Sequence, residues 1–226
     1  GLVADSHRIY RELVKLRESK PMVVSMGRLA ASGGYYVAMG AGPEGKIFAE
    51  ETTWTGSIGV IIPRYDLSEL GAKIGLQSDP LKTGPLKDAL DPFRPLSEEE
   101  RKVWGTILDE SLDEFVGVID EGRASLSEDD IRRIATGQIF TSKQALQLKL
   151  IDAIGDRDAA IQSLKEQLQL SEARIIRYEQ PVSFVESLLG AKFSATLTQQ
   201  DPLGRLLEAS IPRAMYLFGG SVGLTP

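Results

Sequence analysis

The sequence predicts an α/β fold, and three observations carry that prediction. Short apolar, β-branched runs such as "PMVVSM" and "KIFAE" have the length of buried strands. Amphipathic segments with apolar residues at helical spacing alternate with them along the chain. The composition, 42% hydrophobic and 26% charged over 226 residues, is that of a globular protein long enough to bury a substantial core.

In chain order, "GLVADSHRIYRELVKLRES" enters a helix almost at once, with Ile9, Leu13 and Leu16 predicted on one face. A helix that opens a chain needs a layer beneath it, so an upstream strand is expected to have been lost or to be supplied from elsewhere. "PMVVSM" then reads as a buried strand, "SGGYYVAMG" as the start of a helix and "KIFAE" as a second strand. "GSIGVII" is a further β-branched run, "DLSELGAKIG" a short helix with Leu67, Leu70 and Ile74 on one side, and "LQSDPLKTG" an extended piece. Ser97 and Glu100 stand in capping-box spacing before the longest helix, which repeats apolar residues at Val103, Ile107, Leu108, Leu112, Phe115 and Ile119. Ser127 and Asp130 form a second capping pair before "EDDIRRIA". "GQIFTSKQALQLKLIDAIG" reads as a turn, a short helix and a short strand, "DRDAAIQSLKEQLQL" as an amphipathic helix and "ARIIRY" as a last strand. From about Gln180 onward, helical pieces are broken by Pro202, Pro212 and glycines.

Several function classes are excluded or disfavoured by composition. A formal charge of -6 with interleaved signs offers no basic stripe for a phosphate backbone, so no nucleic-acid partner is expected. With no cysteine, thiolate catalysis, disulfides and cysteine-ligated metals are out, and the single His7 cannot build a histidine-rich metal site; no metal and no cofactor are expected. No apolar run reaches the 18 to 20 or so residues that span a bilayer. His7, in the polar start of a helix, is expected to be a solvated surface residue.

Ser32, in "LAASGGYYVA", follows a predicted strand at the first turn of a predicted helix. Such a serine is either an N-cap for an orphan backbone N–H or a nucleophile on a tight turn. In the second case Gly33 and Gly34 let N–H groups approach a reacting carbonyl. A serine nucleophile needs a base. Without a histidine in reach, the remaining common solution is a lysine used as its neutral amine, set among apolar or small residues and away from carboxylates. Lys82 and Lys87 in "PLKTGPLKDALDPF" both have such flanks, with Asp88 counting against Lys87 unless it points away. Ser57, between Gly56 and Ile58, is either a turn serine or a hydroxyl that orients the amine.

Taken in order, "AASGGYYVA", "TTWTGSIGV" and "KTGPLKDALDPF" resemble the signal peptide peptidase A family of serine peptidases, which use a Ser/Lys dyad. "GRASLSEDDIRRIATGQIFTSKQALQLKLIDAIG" is similar to that family's glycine-arginine region and the leucine-aspartate-glycine stretch that follows it. The resemblance runs from about Asp5 to Leu168. It implies that Ser32 is the nucleophile, that Lys87 rather than Lys82 is the general base, that Ser57 orients the lysine, and that the Gly33 N–H is one oxyanion donor. It implies a ClpP/crotonase-like spiral of ββα units, here expected to be N-terminally truncated because the family's upstream strand and second oxyanion donor would precede Gly1. It also implies a ring-shaped homo-oligomer, in which Ser and Lys can come from neighbouring subunits.

Residues 1–170 are then a Ser/Lys peptidase catalytic domain, and 171–226 an extension that packs on the core or mediates oligomerisation. The expected activity is hydrolysis of apolar peptides, such as cleaved signal peptides, through an acyl-enzyme. Membrane association is expected through a segment upstream of this chain, with the catalytic domain extracytoplasmic. A catalytically inactive scaffold of the same fold is the alternative, and a Ser-His-Asp peptidase or an acyl-CoA enzyme is a remoter one.

Overall fold

Residues 1–178 are described by the computed structural model, and their short strands fall into two three-stranded sheets. One sheet has the order β1-β3-β6, built from Val24–Met26, Ile47–Ala49 and Ala153–Ile154 with every pairing parallel. The other has the order β2-β4-β5, built from Leu29–Ala31, Trp54–Gly56 and Ile139–Thr141; β2 and β4 are parallel, and β5 returns antiparallel. The chain crosses directly from β1 to β2 and then enters α2 (Gly33–Ala38). It crosses again from β3 to β4 before the helical region α3 (Ser68–Lys73), α4 (Glu98–Gly122) and α5 (Glu128–Ile134). Each ββα passage therefore adds one strand to each sheet, which is the repeating unit expected of a ClpP/crotonase-like fold. After β5, α6 (Ser142–Gln147) leads back to β6, and α7 (Arg157–Gln167) follows.

The strands are short because their pairing is supplemented from outside the ladder. β3 is buried at all three positions, as a central parallel strand covered on both faces must be. At β4 the buried Thr53 and Thr55 hydroxyls donate to the carbonyls of Gly27 and Ala30, both at 2.7 Å, which ties the β1–β2 crossing to the second sheet. Helix α2 enters the core with Tyr35 and Tyr36, both fully buried; Tyr35 donates its hydroxyl to the Leu150 carbonyl at 2.8 Å. The Tyr36 ring meets Phe115 of α4 at 5.1 Å between centroids.

Helix α1 (Val3–Arg17) packs, but not on the expected face. Ile9 and Leu16 are exposed, and only Leu13 of the predicted trio is packed, set so close to Gly40 that an added Cβ there would lie 2.6 Å from it. The packed stripe runs through Ser6 and Tyr10, with Arg17 pairing with Glu121 and Tyr10 donating to it at 2.9 Å. Polar residues hold half of that contact, so a count of apolar positions alone picks the wrong side. In "GSIGVII" the strand lies earlier than expected, at β4; Ser57 and Ile58 prolong its pairing with Gln138 and Gly137, and Ile61 adds an isolated bridge. "ARIIRY" forms no strand, and Ile175 and Ile176 are exposed. Both capping boxes form as predicted, Ser97 with Glu100 and Ser127 with Asp130. On α4, Val103 and Ile107 at the N-terminal end face solvent, while Phe115 and Ile119 near the other end are in the core. The helical pieces expected from Gln180 onward, and with them most of the 171–226 extension, lie outside the described residues.

Candidate active site

Ser32 stands where β2 turns into α2, with φ 54° and ψ -115°. A non-glycine residue there is strained by about 1–3 kcal/mol and persists only where its surroundings dictate the conformation. They do so here. The Ser32 N–H donates to the Gly56 carbonyl at 2.7 Å, and the Ser32 carbonyl accepts the Tyr36 N–H at 2.9 Å. These bonds lock both of its peptide groups between the neighbouring strand and the first turn of the helix. The hydroxyl does not cap that helix. It is buried and has no hydrogen-bond partner among the described residues, so the capping explanation of this serine fails.

Gly33 opens α2, and its N–H is among the first-turn donors that a helix cannot satisfy internally. No carbonyl of the described residues takes it. A Cβ at position 33 would lie 2.6 Å from the Ser6 hydroxyl oxygen, so the glycine lets α1 pack close against this turn. One strand away, the β2–β4 register sets Ala31 opposite Gly56, which brings Ser32 and Ser57 to the same level on adjacent strands. Ser57 is also buried and also has a positive φ, 50°. Its N–H donates to the Gln138 carbonyl at 2.7 Å, and its hydroxyl makes no hydrogen bond among the described residues. Gly56, at φ 79°, has no room for a Cβ against the Phe140 ring. Beside Ser57 a cavity of about 380 Å³ opens, walled by Val60, Ile61, Leu112, Ala135 and Thr136.

Lys87 is separate from this floor. It sits on an irregular arm between β4 and α4, exposed, and its amine makes no hydrogen bond or ion pair with a described residue. The structure therefore brings Ser32, Gly33 and Ser57 together and does not join Lys87 to them within one chain. It does separate the two candidate bases. Lys82 holds both oxygens of Asp88, at 2.8 and 2.9 Å, and so is occupied. Asp88 is turned toward Lys82 and Arg94, away from Lys87, and these two cations hold its carboxyl down at about 2. Glu100 is likewise held down to about 2, by Arg94 first and then by hydrogen bonds from Ser97, against the opposing effect of burial. Arg94 is a residue the sequence reading passed over; the only signal for it is its place six residues from both Asp88 and Glu100, which corresponds to no regular period.

Two further residues explain the glycine-arginine and leucine-aspartate-glycine motifs. Arg123, buried at the end of α4, makes a two-pronged pair with Asp152 at 2.8 and 2.9 Å and donates Nε to the Lys149 carbonyl at 2.9 Å. Asp152 also accepts the Ile47 N–H at 2.7 Å, so one ion pair ties α4 to β3 and to the start of β6. His7 is not the solvated residue expected. It is half-buried, with Nδ1 at 2.7 Å from the Tyr36 hydroxyl and 3.4 Å from Glu114. It is engaged by Tyr36 of α2 and Glu114 of α4 and not by Ser32.

Comparison with known proteins places the chain among the serine peptidases. The model of peptidase family S49 matches residues 14–171, and the chain belongs to that family. It is 35% identical, over 97% of its length and 66% of the relative's, to an Enterococcus faecium protein with the provisional name signal peptide peptidase SppA. It is 37% identical to a Synechocystis protein provisionally named a protease, over 90% of this chain and 73% of that one. It is also 31% identical to the chloroplastic serine protease SPPA of Arabidopsis thaliana, over 90% of this chain and 30% of that one. Among solved structures it is similar to an enoyl-CoA hydratase from Shewanella pealeana, at 19% identity and a TM-score of 0.38, covering 91% of this chain and 56% of that one. It is also similar to a ClpP1 variant from Listeria monocytogenes, at 11% identity and a TM-score of 0.36, covering 69% of this chain and 86% of that one. Among the described residues no helix is long and apolar enough to cross a membrane.

Proposed function

We propose that this chain is a serine endopeptidase acting through a Ser32/Lys87 dyad on apolar peptides, cleaved signal peptides among them. The observation that carries this reading is Ser32 itself. It is a buried serine in a strained conformation at the head of α2, and its hydroxyl is committed to no structural bond. Strain and an unpaired polar atom both cost stability, and a nucleophile is the use that accounts for keeping them together.

In this reading the Lys87 free amine takes the Ser32 proton as Oγ attacks the scissile carbonyl, and the Gly33 N–H holds the developing oxyanion, a contact of a kind worth about 10²–10³ in rate. The amine returns the proton to the leaving nitrogen, and the same group then activates water against the acyl-enzyme. Ser57, level with Ser32, orients the amine. The apolar walls of the cavity beside Ser57 suit an apolar side chain of the substrate.

Lys87 reaches Ser32 from a neighbouring copy in a ring. Its exposure, and that of the apolar residues Tyr65, Leu70, Ile74, Leu76 and Leu81 on the same arm, support this assembly over closure within one chain.

Ser32→Ala and Lys87→Ala are each expected to lower hydrolysis of a fluorogenic apolar peptide by about 10⁴-fold or more. Mixing the two inactive variants is expected to restore activity, since a ring then contains sites with an intact serine from one copy and an intact lysine from the next. Wild-type rates in either variant would end the dyad assignment. Failure of the mixture, with each variant folded and assembled, would place both groups of a site in one copy.

A further inference from the structure

We propose that Lys82 and Arg94 are positioning residues for Lys87: together they clamp the Asp88 carboxylate away from the neighbouring amine and keep that amine unpaired. The proposal rests on the reading of Lys87 as the base and adds the device that keeps the amine usable.

The problem is set by sequence. Asp88 adjoins Lys87, and a carboxylate within about 4–6 Å of an amine favours the ammonium form, which is useless as a base. The structure holds this carboxylate elsewhere, its side chain only 10% exposed and bonded by two cations. Lys82 Nζ donates to both of its oxygens. Arg94 adds a fork, Nη2 to Oδ1 at 2.9 Å and Nε to Oδ2 at 3.1 Å, and Nη2 also reaches the Asp88 main-chain carbonyl at 2.9 Å. Side chain and backbone of Asp88 are thus fixed by one guanidinium.

That guanidinium is itself fixed from the other side. Arg94 Nη1 donates to Glu100 Oε2 at 2.9 Å, and Nη2 pairs with Glu100 Oε1. Glu100 is buried, and the same Oε2 accepts the Ser97 N–H at 2.8 Å, closing the capping box of α4. A planar fork of this kind suits two carboxylates at once, which a lysine in its place would not. The chain of contacts runs from the N-terminus of the longest helix through Arg94 to Asp88, one residue from Lys87.

Among the other charged groups on this arm, Glu69, Lys73 and Asp79 are exposed, whereas Asp91 and Arg64 are engaged with other partners. Asp91 accepts from Ser78 and, at 2.8 Å, from the Phe93 N–H. Arg64 donates to the main-chain carbonyls of Asp91 and Arg94 and lies 3.8 Å from Asp66. Asp91 and Arg64 are committed to other partners, so with the clamp removed the freed carboxylate would turn to the amine next to it in the chain, Lys87.

The test is the pH dependence of hydrolysis of a fluorogenic apolar peptide by the full chain. In the variant K82M/R94Q/E100Q the glutamine keeps the capping box, no unpaired charge is left buried, and Asp88 is free. The rising limb of the rate is expected to move about one unit or more toward alkaline pH. The rate near neutrality falls about tenfold for each unit, at unchanged KM. Adding Asp88→Asn should return the limb to its wild-type position, a rescue that simple loosening of the arm would not give. K82M alone touches only the exposed side of the clamp and should give a smaller shift in the same direction if the triple variant does not fold. A rising limb that stays in place in these variants, or one that Asp88→Asn does not restore, overturns the clamp. Lys87→Ala separates this from failure of the dyad. If Lys87→Ala is inactive while the clamp variants keep the wild-type profile, only the clamp falls; if Lys87→Ala hydrolyses at the wild-type rate, there is no base to position and both fall.

Discussion

The serine floor and the lysine arm are held by different physics. On the floor, Ser32 and Ser57 are buried, sit on adjacent strands at the same level and have positive φ angles dictated by hydrogen bonds from neighbouring main chain. On the arm, Lys87 is exposed, Tyr65, Leu70 and Ile74 show their side chains to solvent, and the order that exists comes from an ion network at the root. A strained nucleophile needs a scaffold that cannot relax, and the layered core supplies one. On the proposed reading, a base that meets the serine of a neighbouring copy needs reach and an unpaired amine instead. The floor should therefore be sensitive to changes in packing, and the arm to changes in charge.

The largest effect on stability is expected at Asp152, beneath the floor. Asp152→Ala leaves the Arg123 guanidinium buried without its partner and removes the acceptor for the Ile47 N–H. Loss of the charge-assisted bonds to a buried guanidinium, from a carboxylate that is itself 32% exposed, costs about 1.5–3 kcal/mol. Chemical denaturation should show the midpoint falling accordingly, with activity lost in step with folding. A loss below about 1 kcal/mol would mean that the floor tolerates disruption as the arm does, and the contrast between them would be gone.

How much of this was legible in the sequence follows the same division. The floor left local marks, a serine among alanines and glycines and a second serine after a glycine. The sheets were less legible. β2 is leucine and two alanines, with weak strand preference, and β4 is recognised only through pairings with residues 25 and more positions away. No local period reports such a partner. Likewise α1 was assigned the wrong face because half of its contact is made by serine, tyrosine and arginine. On the arm, resemblance chose Lys87 over Lys82, and the contact that distinguishes the two lysines, Lys82 with Asp88, depends on a meeting of irregular segments that no spacing rule describes.

A smaller effect of opposite sign is expected at Ser32. Ser32→Ala, besides abolishing hydrolysis on the proposed mechanism, removes a buried hydroxyl that has no partner among the described residues. An unsatisfied buried polar group costs about 1–3 kcal/mol, so the inactive variant should be more stable than wild type by about 1 kcal/mol, read as a higher urea midpoint with an unchanged slope. Ser32→Gly should gain further, because glycine accepts the positive φ without strain. If both variants were less stable than wild type, the hydroxyl would have a structural partner and the strain would serve the fold, not the chemistry.

The smallest effect on the chain itself is expected on the arm, at Ile74, whose side chain is 69% exposed at the end of α3. Ile74→Ser removes little buried surface within one chain, and exposed substitutions of this kind shift stability by no more than about 0.5 kcal/mol. Denaturation measured at dilutions where the protein is monomeric should hardly change. Assembly should respond differently: an isoleucine buried against a neighbouring copy contributes about 1.5–3 kcal/mol, so the concentration at which rings dissociate in sedimentation should rise by about tenfold or more per contact. On the proposed dyad, activity at low concentration should fall in parallel and recover at high concentration, because the serine floor is intact and would lack only a neighbour's lysine. A loss of monomer stability above about 1 kcal/mol would show instead that the arm belongs to the core of its own chain.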